Sequence, residues 1–238
     1  MIVSHEHRFI FLKTRKTAGS SLEVLLSRFC GPDDIVAPLG DAEETMRAGN
    51  GPRNYMLPFW RRPLNAHLKM LRGKPLGRRW TGYYEHMTAK AVRRMVGENV
   101  WASYYKISSE RNPWDRQVSL YYWRTRDMKE RPTFEQFLHG KDRRAQGLGN
   151  FEIYGIGGKV VANDVILFHD MQNGIARVFD RLGLAISEAM PEAKTKVRPK
   201  RDYQCYYTDE TRDLVGRLYA REIAAFGFSF EDASTAAP

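Results

Sequence analysis

The sequence predicts an α/β fold with a mostly parallel central sheet. Three observations lead there. Apolar runs recur at Arg8–Thr14, Tyr104–Ser108 and Asp164–Phe168. Each is followed by a segment whose apolar residues repeat at helical spacing, and strands alternating with helices build parallel sheets. The chain has 238 residues, 42% of them hydrophobic, which is ample for one core.

In order along the chain, Arg8–Thr14 reads as a buried strand. Ser21–Cys30 reads as a helix because Leu22, Leu25, Leu26 and Phe29 share one face. Ser20-Ser-Leu-Glu23 has the form of a capping box, and Gly31-Pro32 ends the helix. Residues 33–80 lack periodicity, and Arg53–Arg79 holds eight Lys or Arg and no acid. This stretch is expected to be an irregular basic insertion with short helices in a single domain spanning 1–238. Thr88–Val96 reads as a helix ending at Gly97, Asp115–Asp127 as another, and Thr133–His139 as a short one. Phe151–Lys159 reads as a hairpin around Gly155-Ile-Gly-Gly158, Gly174–Leu182 as a helix stopped by Gly183, Lys194–Tyr203 as a basic loop and Thr208–Phe226 as a capped amphipathic helix.

The formal net charge is +10, which suits an anionic partner. Cys30 and Cys205 stand far apart with no metal-type spacing, so a reducing compartment and no metal are expected. No window approaches the roughly 20 apolar residues of a membrane helix. A cytoplasmic protein without an integral membrane segment is the expectation.

Lys13–Glu23, KTRKTAGSSLE, lies where a strand hands over to a helix. Backbone N–H groups at a helix start carry partial positive charge, and Arg15, Lys16, Thr17, Ala18, Gly19, Ser20 and Ser21 add donors and close backbone access. Such a loop suits a phosphate, although GxxxxGK[ST] is absent. An ordinary strand-to-helix connection with solvated charges is the plain alternative. A second constellation follows the next strand, Ser109-Glu-Arg-Asn-Pro-Trp-Asp-Arg-Gln-Val-Ser119. Arg111 stands at a strand end, where α/β sheets bind ligands, and Ser119 lies in the helix behind it. Two anion sites at two strand tips suit a nucleoside carrying phosphates at both ends.

These motifs together resemble sulfotransferases that use 3′-phosphoadenosine-5′-phosphosulfate (PAPS), and the carbohydrate branch in particular. That branch has a first motif like PKTAGTSL, here Arg15-Lys-Thr-Ala-Gly-Ser-Ser-Leu22, and a second like VRNPYDRLVSxY, here Glu110-Arg-Asn-Pro-Trp-Asp-Arg-Gln-Val-Ser-Leu-Tyr121. The likeness covers roughly 8–30, 80–125 and 160–230. It implies a P-loop-like three-layer fold, PAPS as sulfuryl donor with adenosine 3′,5′-bisphosphate as product, no metal, and a carbohydrate or small-molecule acceptor. It implies that Arg15–Ser21 hold the 5′-phosphosulfate, that Arg111 and Ser119 hold the 3′-phosphate, and that Lys200 and Arg201 close over the nucleotide. Two departures stand out: Arg15 replaces a proline, and Glu110 puts a carboxylate beside Arg111, so it must point away. Lys16 is the expected cation at the bridging oxygen.

His86, about 25 residues before Arg111, is the expected base. It resembles a catalytic histidine of some uronyl 2-O-sulfotransferases, and a near-neutral imidazole suits the task. Glu85 is the alternative base, and a plain helix-capping role for His86 is the alternative to both. His169, after a strand, is a possible pocket-lining residue, though such a residue is more often structural. Two other functions stay open: a nucleic-acid-binding protein using residues 53–79, and an atypical P-loop-type kinase.

Overall fold

The computed structural model describes residues 1–47, 49–62, 64–74, 77, 81–140, 149–185, 199 and 201–232. Five strands form one sheet: β1 (Ile2–Ser4), β2 (Phe9–Leu12), β3 (Ile35–Val36), β4 (Tyr105–Glu110) and, numbered last along the chain, β7 (Asp164–Leu167). Their spatial order is β3-β1-β2-β4-β7. β2 pairs parallel with β4 and β4 with β7, whereas β1 pairs antiparallel with both β2 and β3. The sheet is therefore mixed, not mostly parallel. The sequence reading missed β1. It is three residues long and joins β2 through the polar turn His5-Glu-His-Arg8, so no alternation has room to show.

β2 is FIFL, and each face of it is covered. Ile10 and Leu12 pack with Tyr83, Val92, Trp101, Phe151 and Tyr154, while Phe9 and Phe11 pack with Leu22, Leu25, Leu26, Ile175 and Phe179. The first group brings α4 (Ala89–Val96), α5 (Glu98–Ser103) and α8 (Phe151–Tyr154) onto one face. The second brings α1 (Gly19–Ser27) and α9 (Met171–Leu182) onto the other. The three layers follow from a strand with two apolar faces. Burying each leucine of α1 is worth roughly 1.5–3 kcal/mol. Gly174 lets α9 lie against β7, because a Cβ there would come within 2.7 Å of Ile166 Cγ2.

Between β3 and α4 run α2 (Asp41–Thr45), a 3₁₀ turn at Phe59–Arg61 and α3 (Leu64–Leu71), the short helices expected of the insertion. α4 starts on Thr88, whose side chain accepts from Ala91 N, so Thr88 and not His86 is the cap. A third core cluster sits at the carboxyl end of β4. There α6 (Pro113–Thr125) packs Trp114, Val118 and Tyr121 against α7 (Phe134–His139) and the C-terminal helices. The hairpin is real but short: α8 precedes β5 (Gly155–Ile156), which pairs with β6 (Lys159–Val160). The expected helix 208–226 is broken into α10 (Asp209–Leu218) and α11 (Ala220–Phe226). Tyr219 turns inward at the break, buried, with its hydroxyl accepting from Gln117 Nε2.

Candidate anion site at the tips of β2 and β4

The loop after β2 has an unusual backbone. Lys16 (φ 61°) and Ala18 (φ 59°) are both left-handed, a conformation costing a non-glycine residue roughly 1–3 kcal/mol. His86 (φ 60°) shares it. Three of the five non-glycine residues with positive φ among the described ones thus meet at this loop, where sequence neighbours alone would not place them. Left-handed residues beside helical ones can turn successive N–H groups toward one point, as in anion-binding nests.

The capping box is not formed. The N-cap of α1 is Ala18, without a side-chain cap, and Glu23 is wholly buried instead. Its carboxylate meets the Met1 α-ammonium, Lys13 Nζ at 3.1 Å and Arg47 Nη2 at 3.0 Å. Burial pushes the Glu23 carboxyl up, but Lys13, the α-ammonium and Arg47 outweigh it and hold it at about 2. The amides that open α1 thus have no side-chain cap. Gly19 is required by close approach, since a Cβ would lie 3.0 Å from the Thr14 carbonyl oxygen and 3.1 Å from Lys13 Cγ.

Buried hydroxyls fasten the loop to β4. Thr14 Oγ1 donates to the Ser109 carbonyl at 2.5 Å and lies 2.7 Å from Thr17 Oγ1, which lies 2.8 Å from Ser109 Oγ. The Thr17 side chain therefore braces the loop from inside. Asn150, fully buried, holds the outer strand of the loop: its Oδ1 accepts from Arg15 N (3.0 Å) and its Nδ2 donates to Arg15 O (3.1 Å) and Glu110 Oε1 (3.1 Å). Asn150, Thr14 and Ser109 were not singled out from the sequence, because a bracing role leaves no local pattern.

Glu110 does point away from Arg111. It is buried against Arg116 Nη1 (2.6 Å), Asn150 and the Tyr154 hydroxyl (2.9 Å). Burial pushes its carboxyl up, and Arg116 partly offsets this. Burial opposes the Arg116 charge, but Glu110, Tyr219 and Glu222 more than offset it and hold Arg116 above its ordinary value. Arg111, one residue on, is mostly buried, with Nε donating to Asp115 Oδ2 at 2.6 Å and its guanidinium 4.0 Å from the Phe168 ring centroid. Ser119 is half-buried in the second turn of α6.

Positive charge gathers around the loop. Arg15 is half-buried and has no carboxylate partner among the described residues; burial first, then Arg116 and Arg124, hold it below its ordinary value. Lys16 Nζ lies 4.7 Å from the Trp123 ring centroid on α6. Lys13, by contrast, is buried between Glu23 and Glu85. Its carbonyl accepts from His86 Nδ1 at 3.1 Å. That bond fixes the neutral tautomer and leaves Nε2 as the basic atom, 3.5 Å from Glu85 Oε2. The expectation of a near-neutral histidine is corrected: burial, then Arg15 and Lys13, pull His86 down to about 3. Glu85 is occupied by the Lys13 ammonium at 3.2 Å.

Of the remaining expected residues, Ser20 is half-buried at the start of α1 and Ser21 buried. Arg201 is exposed, its guanidinium 5.5 Å from the Tyr206 ring, whose hydroxyl meets that of Tyr122. Lys200 and most of the basic loop lie outside the described residues. His169 is exposed after β7.

No protein-family model and no curated protein matches the chain. Among solved structures it is similar to a sulfotransferase from Alicyclobacillus acidocaldarius, at 18% identity and a TM-score of 0.44, over 92% of this chain and 95% of that one.

Proposed function

We propose that the chain transfers a sulfuryl group from PAPS to a hydroxyl or amine of a carbohydrate or other small acceptor. The observation that carries this is the strained, uncapped loop Arg15–Ser21, fastened through Thr17 and Ser109 to the strand tip that presents Arg111. Two anion-binding elements at adjacent parallel strand ends match the two charged ends of a doubly phosphorylated adenosine, in the order the two motifs prescribe.

In this proposal the amides of Lys16–Ser21 hold the 5′-phosphosulfate, helped by Arg15 and the start of α1. Arg111, oriented by Asp115, holds the 3′-phosphate with Ser119, and Arg201 and Lys200 close from the C-terminal side. The transfer forms a bond from the acceptor oxygen to sulfur and breaks the bond from sulfur to the bridging phosphate oxygen. The electron pair stays on that oxygen. Lys16 stabilises it by moving off Trp123, a half-buried cation–π contact worth about 0.5–2 kcal/mol. His86 Nε2 takes the acceptor proton, a contribution of roughly 10²–10⁴-fold. Burial is the first cause of the depressed imidazole and persists; the anionic donor offsets the Arg15 charge and what remains of Lys13, and so moves His86 upward toward the range of a working base.

The test is thermal denaturation with adenosine 3′,5′-bisphosphate and no magnesium, followed by transfer of labelled sulfate from PAPS onto glycan and metabolite fractions. The bisphosphate is expected to raise Tm for the native chain and much less for Lys16→Ala, which also loses transfer. An unchanged Tm at millimolar bisphosphate would sink the nucleotide assignment. Tight, steeply salt-dependent nucleic-acid binding that survives Lys16→Ala would favour the nucleic-acid alternative.

A further inference from the structure

We infer that residues 56–71 form a docking surface for an anionic lipid bilayer. Seven of the ten exposed large apolar residues among the described ones fall within this stretch. Trp60 is 80% exposed, Leu64 72% and Leu71 84%, and Phe59 and Met70 flank them. Scattered exposed apolar residues are ordinary, but a run of them on one small element marks an interaction surface.

The two ends of the element are clamped where Leu57 N donates to Thr81 O and Tyr83 N to Tyr55 O, both at 2.7 Å. Gly82 permits this approach, since any Cβ there would collide with the Tyr55 carbonyl. Inside the element, the His67 ring meets the edge of Phe59 at 4.5 Å, Arg62 Nε donates to Leu57 O, and Ala66 is fully buried. The side chains that would complete a core are turned outward instead.

Charge selects the occupant. The segment from Arg53 to Arg79 carries eight basic residues and no acid. A second copy of the chain would set this positive surface against itself. A polyanion such as RNA would match the charge but leave Leu64, Met70 and Leu71 in water. A bilayer with anionic headgroups satisfies both demands: it takes the aromatic and aliphatic groups into the headgroup–acyl boundary and offers phosphates to the arginines. No helix of the described residues is long and apolar enough to cross a membrane, and Leu64, Leu68 and Leu71, spaced at helical intervals on α3, are all exposed. The surface hangs from residues 81–83, three positions before His86, so docking would bring the candidate site to the membrane face. The inference does not depend on the sulfuryl-transfer proposal, because vesicle binding is read without turnover.

The test is co-sedimentation of the full chain with vesicles of phosphatidylcholine alone and of phosphatidylcholine mixed with phosphatidylglycerol, at low and high salt. The native chain is expected to bind the mixed vesicles. A Trp60→Ser, Leu64→Ser, Leu71→Ser variant, whose charge is unchanged, is expected to lose that binding. An Arg61→Gln, Arg72→Gln variant is expected to bind about 25-fold more weakly, at about fivefold per lost cation. All five positions are exposed, so Tm should stay unchanged. Any of three results overturns the inference: no sedimentation with mixed vesicles, full sedimentation of the triple serine variant, or a dimer in ultracentrifugation that this variant abolishes. RNA binding that outcompetes the vesicles also overturns it.

Discussion

Replacing Asn150 by alanine removes three hydrogen bonds at once and leaves the chemistry of the loop's own residues intact. Two of the bonds go to the Arg15 backbone and one to the Glu110 carboxylate. The neutral pair is worth about 1 kcal/mol each, and the bond to the carboxylate about 1.5–3 kcal/mol. Glu110 keeps Arg116, Tyr154 and the Arg111 amide. Arg15 is half-buried, so its backbone groups regain water in part. The net loss should therefore be about 3 kcal/mol. For a chain of this size that lowers Tm by roughly 6–12 °C. The loop also loses the contact that fixes Arg15, so the affinity for adenosine 3′,5′-bisphosphate should fall at a temperature where the variant is still folded. Differential scanning calorimetry gives the first quantity and isothermal titration the second. A Tm within about 1 °C of the native chain, with unchanged affinity, would show that Asn150 is a bystander and that the loop holds its shape unaided.

Two further outcomes follow from titration. Glu23 is held at about 2, below the ordinary 4.5, so its pairings stabilise the fold fully above pH 4.5, and that contribution is lost as pH falls through 2. Glu23→Gln, leaving three cations facing a neutral amide, should cost about 3–5 kcal/mol at pH 7 and flatten the acid limb of urea-denaturation stability; an unaltered limb would refute the pairing. His86 is held at about 3, so it should stay neutral in nuclear magnetic resonance titrations well below pH 6.5 and shift upward when the bisphosphate binds. Because the unfolded chain takes up that proton first, His86 lowers stability as pH drops from 6.5 towards 3. His86→Ala should keep the nucleotide-induced Tm rise and lose turnover. Near-normal turnover would remove it as the base, and a free-protein titration at 6.5 would refute the depression by burial.

What the sequence made legible was local. The strand-to-helix handovers at 12–19 and 110–113 show as apolar runs meeting Gly or Pro, and the caps at Thr88, Thr133 and Thr208 show as Thr before a periodic segment. Ser20-Ser-Leu-Glu23 has the same local signature, yet it fails, because three distant cations draw Glu23 into the core. The direction of β1 was illegible for a related reason: strand polarity is a pairing property, and three residues hold no trace of it. Of the candidate site, the strand-to-helix loop and the place of Arg111 at a strand tip could be read from residue types. The depressed histidine could not, since burial and the approach of Arg15 belong to the fold. Asn150, standing 135 positions from the loop it braces, could not be read either.

The Glu110 carboxylate has one further consequence. Arg116 reaches from it to Glu222 on α11 (3.6 Å), and Glu222 also accepts from the Asn150 backbone amide. Asn150, which braces the Arg15 backbone, is therefore itself held by a side chain of α11. A fragment lacking residues 220–226 would have no Glu222 to hold Asn150, and the brace on the Arg15 backbone would lose its support.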